Sequence, residues 1–218
     1  MAGRICDKFR VSEITAYLRE SLGDLASIAA GYPLRGAVDA LPAGNVAVIQ
    51  MGNVHPETSV DWAAAQRIAL PSKRSSNFLA PDDVIFTTRG TRNFALALGQ
   101  IPGLAVCSPH FFVMRVIDPG RIIPAFLAWQ INQRPAREYF QREATGSYIL
   151  NIRREVIENL PLALPPLDLQ RAIIALADTA RAERAALAKL IENRNHQIEA
   201  IALGLHRSAK NPDEGPHE

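Results

Sequence analysis

The basic side chains between Arg67 and Arg154 are the residues of this sequence best suited to a chemical task. That segment carries 12 basic and 5 acidic residues, a net charge of +7, whereas residues 1–66 carry −2 and residues 155–218 carry −3. Eleven of the 12 are arginines, whose planar guanidinium fits a phosphate group and the O6/N7 edge of guanine. Such a segment is typical of a nucleic-acid-binding surface, and the alternative is a solvated face without a ligand.

No group of residues matches a catalytic or metal-binding motif. Asp82 and Asp83 could begin a metal-dependent nuclease site. Such a site also needs a (D/E)xK motif, and none of the four lysines has an acid two residues before it. The sequence has no glycine-rich phosphate loop and no HExxH pair, and residues 164–167 lack the asparagine and the aromatic residue of an adenine methyltransferase. The histidines lack the spacing of metal ligands: His55, His110, His196, His206 and His217. These absences favour a binding module, without a metal or a cofactor of its own, over an enzyme.

Hydrophobic patterning predicts an α+β fold, in which a globular mixed α/β domain is followed by one long helix. Strands are predicted where β-branched and apolar residues concentrate, at residues 45–51, 84–88 and 111–117. Helices are predicted over residues 12–21 and over residues 122–140, where Pro135 breaks or kinks the helix. Residues 89–90 are expected to be a loop, and the prolines of residues 160–167 keep that stretch extended.

The last part of the chain has the pattern of a coiled-coil helix. Residues 168–205 contain no proline and only one glycine, Gly204, which predicts a helix of roughly 57 Å at about 1.5 Å per residue. A 3-4 spacing runs through ten positions: Ile173, Ala177, Ala180, Arg184, Leu187, Ile191, Arg194, Ile198, Ile201 and Leu205. A seven-residue repeat of this length indicates pairing with another helix, and Arg184 and Arg194 would fix its register or its partner. The alternative is a helix that folds back on its own domain.

Length and composition are those of an ordinary globular protein. The 218 residues, 48% hydrophobic and 21% charged, suffice for one substantial core with an extension. No apolar run could span a bilayer and residues 1–10 contain no signal peptide, so a cytoplasmic location with free Cys6 and Cys107 is expected. The predicted organisation is an N-terminal helical segment, a globular domain, a long helix and a disordered tail, at residues 1–21, 22–166, 167–206 and 207–218.

Five stretches occur in an order that resembles one half of the DNA-specificity (S) subunit of type I restriction–modification systems. They are residues 22–36, 48–54, 78–91, 124–133 and 144–174, and the long helix follows them. The most specific is the end of the domain, where a Thr-Gly-Ser loop precedes LPLALPPL and the start of the helix. Family members usually carry two target-recognition domains and two such helices, whereas this sequence contains one of each.

The resemblance implies that residues 22–166 form a target-recognition domain that reads double-stranded DNA from the major groove. The helix would set the distance between two half-sites, and its partner would be either a second copy of the chain or a different specificity chain. A homodimer would recognise a bipartite palindrome. A DNA adenine methyltransferase subunit would bind S-adenosylmethionine and supply the chemistry, and a complex that cleaves DNA would add a restriction and translocase subunit.

The candidates for DNA contact are polar side chains in loops that flank the strands of the cationic segment. They are Lys73, Arg74, Ser75, Ser76, Asn77, Arg89, Thr91, Arg92, Asn93, Thr145, Ser147 and Tyr148. Arg89 and Arg92 are the first choice for base reading, because they follow a predicted strand on a glycine-containing loop. For each candidate, the alternative is a solvated or turn-stabilising side chain.

Asn53 and His55 are weaker candidates for the same role. Arg153 and Arg154 have the alternative of ion pairs with nearby acids, namely Glu155 or Glu158.

A second function class stays open on the sequence. A protein-interaction adaptor, or an anti-restriction decoy, would keep this fold and the helix without reading DNA. Retention of duplex DNA that falls steeply with salt would separate the two classes. A third class, an enzyme with an unrecognised site, would require turnover of DNA by the purified chain alone.

Overall fold

The computed structural model describes residues 17–33, 44–56, 59–69, 78–90, 93–143 and 150–210. The chain divides into two compact units, Met1–Ile174 and Ala175–Glu218, and the division falls inside the long helix. The first unit holds every strand of the described residues, and the described part of the second unit is helical.

Thirteen short strands and five α-helices form within the described residues. The strands are β1 Arg19–Ser21, β2 Ala26–Ala30, β3 Val46–Ile49, β4 Val54–His55, β5 Ser59–Val60, β6 Gln66–Ile68, β7 Val84–Thr87, β8 Arg89–Gly90, β9 Ala95–Ala97, β10 Ala105–Cys107, β11 Phe111–Val116, β12 Leu150–Asn151 and β13 Pro161–Ala163. The helices are α1 Leu22–Leu25, α2 Pro124–Ile131, α3 Arg134–Glu143, α4 Arg154–Glu158 and α5 Leu167–Lys210. A 3₁₀ turn, Met51–Asn53, precedes β4.

A four-stranded antiparallel sheet in the order β2-β11-β7-β9 forms the centre of the first unit. All four residues of β7 are buried. The strand therefore has three consecutive apolar residues followed by Thr87, in place of the apolar–polar alternation of a half-exposed strand. Val84 and Phe86 belong to the core on the α2 side of the sheet, while Ile85 belongs to the core on the opposite side. The predicted strands at residues 45–51, 84–88 and 111–117 are confirmed as β3, β7 and β11.

A second sheet covers the other face of the central sheet. Its order is β10-β3-β6, with β10 parallel and β6 antiparallel to the middle strand. Ile49 and Cys107 of this sheet share a core with Ile85 and Phe111 of the central one. The first unit therefore has three layers, with helices on one side of the central sheet and a small sheet on the other.

The helix predicted over residues 122–140 is divided into α2 and α3. Helix α2 begins at Pro124, where a missing N–H costs nothing. The helical path ends at Asn132, and Pro135 lies at the second position of the next helix. The break was therefore expected, and it falls three residues before the proline.

Side-chain amides close the sheet edges beside α2. Asn132 is buried, and its Nδ2 and Oδ1 pair with the carbonyl and the N–H of Ala95, both at 2.8 Å. Gln130 pairs in the same way with Ala163, at 2.9 and 3.0 Å. Each amide satisfies two backbone groups that an edge strand would otherwise leave open.

A wholly buried glutamine, Gln170, fixes the first turn of α5 within the first unit. Its Oε1 accepts the Ile123 N–H at 2.9 Å, and its Nε2 donates to the carbonyls of Arg121 and Pro165, both at 2.8 Å. Both ends of the amide are thereby satisfied although the side chain is shielded from solvent.

Two predicted conformations are wrong. Residues 19–21, expected at the end of a helix, form β1 and pair with β13, while residues 12–16 of that helix lie outside the described residues. Residues 89–90, expected as a loop, form β8 and pair with β12. Both strands are short, and both depend on partners far away in sequence, which local propensity does not encode.

The predicted long helix is confirmed as α5, which has 44 residues. Its helical backbone includes residues 207–210, part of the stretch expected to be a disordered tail. The rest of that stretch, residues 211–218, lies outside the described part of the chain.

Candidate nucleic-acid interface

Two of the twelve candidates for DNA contact, Arg89 and Asn93, lie in the described part of the chain. The other ten lie outside it: Lys73, Arg74, Ser75, Ser76, Asn77, Thr91, Arg92, Thr145, Ser147 and Tyr148. The DNA contact of all these residues stays a prediction.

Asn93 is half-buried and takes part in the local structure. Its Nδ2 donates to the Thr87 carbonyl at 2.7 Å, and the neighbouring Phe94 N–H donates to the Thr87 hydroxyl at 2.9 Å. These bonds link the residues just before β9 to the end of β7. The second amide hydrogen and the Oδ1 of Asn93 are the groups that a base could still contact.

Arg89 lies on a two-stranded ribbon formed by β8 and β12. The antiparallel register sets Arg89 opposite Asn151, and the Ile152 N–H donates to the Thr88 carbonyl at 2.9 Å. Gly90, the second residue of β8, has a φ of 149°, a conformation that residues with a side chain rarely adopt. The β8–β12 ribbon pairs Arg89 and Gly90 with Asn151 and Leu150, which are far away in sequence.

Most arginine side chains of the cationic segment bond to other residues of the chain. Nine of them lie in the described residues, and six bond to another described residue: Arg67, Arg115, Arg121, Arg134, Arg137 and Arg154. Among the arginines of this segment in the described ranges, only Arg89, Arg142 and Arg153 make no side-chain hydrogen bond or ion pair. Four of the six engaged arginines pair with carboxylates, and Arg67 and Arg137 donate to backbone carbonyls. The guanidinium groups without any partner there are those of the other three.

Two of these three arginines belong to the β8–β12 ribbon or follow it directly, and the third lies before residues 144–149 in the sequence. Arg142 lies in the last turn of α3, just before those residues, and Arg153 follows β12. Sequence reasoning had not chosen Arg142, and it had treated Arg153 and Arg154 as equivalent. One local signal separates the last two, because Arg154 has a glutamate four residues later whereas Arg153 has an isoleucine.

Arg154 forms the expected ion pair. Its Nε lies 2.7 Å from the Oε1 of Glu158, one helical turn along α4. Arg153 makes no salt bridge within the described residues. The pairing expected for the two arginines is therefore confirmed for Arg154 alone.

Arg115 is held by a buried carboxylate. Its Nε and Nη2 donate to the two oxygens of Asp83, each at 2.7 Å, and Asp83 is only 1% exposed. The Oδ2 of Asp83 also accepts the Ala80 N–H at 2.8 Å. The hydrogen bond to Asp83 raises the pKa of Arg115. This pair ties β11 to the start of β7, so Arg115 acts in the fold and not as a ligand for phosphate.

The weaker candidates Asn53 and His55 lie beside the small hairpin of β4 and β5. Asn53 Oδ1 accepts the Gln50 N–H at 2.9 Å and caps the 3₁₀ turn. His55 is exposed and pairs through its backbone with Ser59. Neither position lies in the β8–β12 ribbon.

The described residues hold no arrangement suited to catalysis by a thiol or a metal. Burial raises the pKa of the Cys107 thiol to about 12, so at neutral pH it is protonated and a poor nucleophile. No group of three His, Cys, Asp or Glu side chains among the described residues could hold a metal ion. Among the described helices, none has the length and apolarity that crossing a membrane requires.

The second unit presents an exposed apolar stripe. Five large side chains of the predicted seam are exposed on α5: Leu187, Ile191, Ile198, Ile201 and Leu205. Leu176 and Leu190, each one residue before a seam position, are exposed as well and make the stripe wider. Apolar side chains at this spacing on a single helix suit pairing with another helix. The pairing itself stays a prediction.

The other seam positions have more varied surroundings. Ile173 packs against the core of the first unit, and Ala177 and Ala180 are half-buried. Arg184 is exposed, and Arg194 donates to Gln197 of the same helix at 3.0 Å.

No protein-family model matches the chain, and no curated protein sequence matches it. Three solved structures are similar to it. The S subunit of a type I restriction–modification system from M. genitalium has a TM-score of 0.55 and 14% identity, over 95% of this chain and 49% of that one. The HsdS subunit from Thermoanaerobacter tengcongensis has a TM-score of 0.53 and 18% identity, over 78% of this chain and 39% of that one.

The third similar structure comes from work on complex assembly and conformational transition of the type I R-M system. Its TM-score is 0.63 at 16% identity, over 94% of this chain and 49% of that one. The chain thus spans half or less of the length of the structures it matches. Its fold is that of type I restriction–modification S subunits.

Proposed function

We propose that the chain is a non-catalytic DNA-recognition subunit of a type I-like restriction–modification complex. The observation that carries the proposal is a fold likeness to S-subunit structures that extends over 94–95% of this chain in two of the three comparisons. The first unit reads one half-site, and α5 pairs the chain with a second specificity chain.

Two features of the first unit support DNA reading. The net charge of residues 67–154 is +7, which attracts the phosphate backbone of a duplex. Of the arginines without a side-chain partner, Arg89 lies in the β8–β12 ribbon and Arg153 follows β12, and residues 91–92 directly follow β8 in the sequence. Phosphate contacts then orient the domain, while Arg89 and Arg92 read base edges.

The exposed stripe of α5 supports pairing through the helix. Its occupant is a second copy of this chain, because a two-fold arrangement sets the same stripe against itself and buries both copies. Two recognition domains related by a two-fold axis then read a bipartite palindrome.

The chemistry comes from a partner subunit. A DNA adenine methyltransferase subunit binds S-adenosylmethionine and transfers the methyl group, and this chain delivers it to the target without binding a cofactor. In a complex that also cleaves DNA, a restriction and translocase subunit joins.

Binding of duplex DNA at several salt concentrations tests the DNA role. Each phosphate contact contributes a slope of about −0.9 to the dependence of log Kobs on log salt. Arg89→Ala combined with Arg92→Ala should weaken binding to the preferred site by roughly 30-fold or more, since each of the two base contacts is worth about 1–3 kcal/mol. The matched control is Arg134→Ala with Arg154→Ala, which removes the same charge from exposed, ion-paired positions.

The control and the test variants should differ in sequence preference. If both double variants bind the selected site equally well, the assignment of Arg89 and Arg92 is wrong. If the unaltered chain shows no salt-dependent retention of duplex DNA, DNA reading itself is wrong.

The assembly is tested by light scattering on the purified chain, alone and with the methyltransferase subunit. A dimer of twice 23.9 kDa that binds the methyltransferase and retains DNA supports the whole proposal. Binding of the methyltransferase without any retention of DNA would replace it with the adaptor or decoy function.

A further inference from the structure

The β8–β12 ribbon has one buried and one exposed face. Thr88 and Ile152 are buried, while Arg89, Asn151 and Arg153 are exposed. Successive side chains of an extended chain point to opposite faces. Arg153 has an extended backbone, with φ −76° and ψ 157°, so the alternation continues through it. The exposed face therefore carries Arg89, Asn151 and Arg153 side by side.

The spacing of the three side chains suits one groove of a DNA duplex. Arg89 and Asn151 are directly opposite in the register, which brings their Cβ atoms to about 5 Å. Asn151 and Arg153 are two residues apart on one extended segment, about 7 Å. This patch is narrower than the major groove of B-DNA, which is about 12 Å wide.

The chemistry of the three side chains is complementary. Arg153 is a permanent cation with no carboxylate partner among the described residues, so a backbone phosphate is a natural ligand. Asn151 is neutral and gains little from phosphate charge, but its amide can donate and accept at the same time. That pair of groups matches N7 and N6 of adenine.

We propose that Asn151 and Arg153 join Arg89 in one duplex-DNA contact surface on the exposed face of the β8–β12 ribbon. Arg153 binds a backbone phosphate and positions the ribbon, and Asn151 reads an adenine from the major groove. The inference rests on the proposed DNA-recognition function. It adds Asn151, which neither the sequence motifs nor the similarity to solved structures singles out, and it assigns Arg153 a phosphate ligand in place of an ion pair.

The chain supplies a matched pair of variants for the phosphate contact. Arg153 and Arg154 are adjacent and both exposed, but only Arg154 is held by Glu158. Arg153→Ala should reduce the salt slope of DNA binding by about 1 and lower affinity similarly for all sequences. Arg154→Ala, the control, should leave the slope unchanged, and Arg153→Lys should restore it because the charge is restored.

Asn151→Ala has a different signature. It should lower the preference for adenine at one base pair of the selected site by roughly 10- to 100-fold, with the salt slope unchanged. Preference is measured by selection from randomised duplexes with the full-length chain. Thermal unfolding of each variant should match the unaltered chain, because all these side chains are exposed.

The failure of this inference differs from the failure of the proposed function. If the unaltered chain shows no salt-dependent binding of duplex DNA, the proposed function fails and this inference fails with it. If the unaltered chain binds, but Arg153→Ala behaves as Arg154→Ala does, the phosphate contact is wrong. If Asn151→Ala selects the same sequences as the unaltered chain, the base contact is wrong.

Discussion

Replacing Ile191 with lysine on α5 perturbs the centre of the exposed apolar stripe. Ile191 is 62% exposed in the single chain, and full burial of such a side chain is worth about 1.5–3 kcal/mol. Covering the exposed share therefore contributes about 1–2 kcal/mol per copy, or about 2–4 kcal/mol for the two copies of a dimer. The loss of this term alone raises the dissociation constant by roughly 30- to 1,000-fold. A lysine charge without a partner in the seam adds to the loss.

The assay is light scattering over a dilution series, with the helix content of each variant checked by circular dichroism. Leu203→Lys is the matched control, because Leu203 is 54% exposed and lies five residues after the seam position Ile198, on the other side of the helix. The control should keep the dissociation constant of the unaltered chain. Equal dissociation constants for Ile191→Lys, Leu203→Lys and the unaltered chain would refute pairing through this stripe.

Two further predictions concern the core. Arg115→Met leaves the buried Asp83 carboxylate with the Ala80 N–H as its remaining bond and should lower the free energy of unfolding by about 2–3 kcal/mol; a change below about 0.5 kcal/mol in urea denaturation would contradict the buried ion pair. Burial raises the pKa of the Cys107 thiol from its ordinary 9.0 to about 12. The contribution of the protonated thiol to the free energy of unfolding is therefore complete below pH 9. It is lost as pH rises from 9 towards 12, at about 1.4 kcal/mol per pH unit. In a Cys6→Ser background a thiol reagent at pH 8 should therefore react only at the rate of unfolding, and fast labelling of the folded chain would show that the thiol is accessible.

Long, strongly patterned elements were predictable from the sequence alone. The β-branched run at β7 and the unbroken heptad pattern of α5 favour strand and helix locally, through side-chain packing and backbone preference. The α+β class and the resemblance to S subunits follow from the same order of elements. The short strands β1 and β8 were not predictable, because each exists only through a partner strand that lies 60 or more residues later.

The candidate site was less predictable from the sequence than the fold was. Sequence reasoning found the cationic segment and Arg89, but it could not say which arginines keep their charge free. Arg115 is neutralised by Asp83, 32 residues away, and Arg121 by Glu20, 101 residues away. Such pairs depend on how distant elements pack, because ion pairs between distant residues have no fixed spacing in the sequence from which they could be predicted.

The sequence by itself determined the sign and location of the charge, the absence of catalytic motifs from the sequence, and a helix with an apolar stripe. These properties belong to composition and to periods of two to seven residues, which any stretch of chain displays without its neighbours. Only the tertiary structure decided which cations remain unpaired and that Asn151 and Arg153 share a face with Arg89. That decision required the pairing of β8 with β12, because proximity between distant residues is a property of the folded chain.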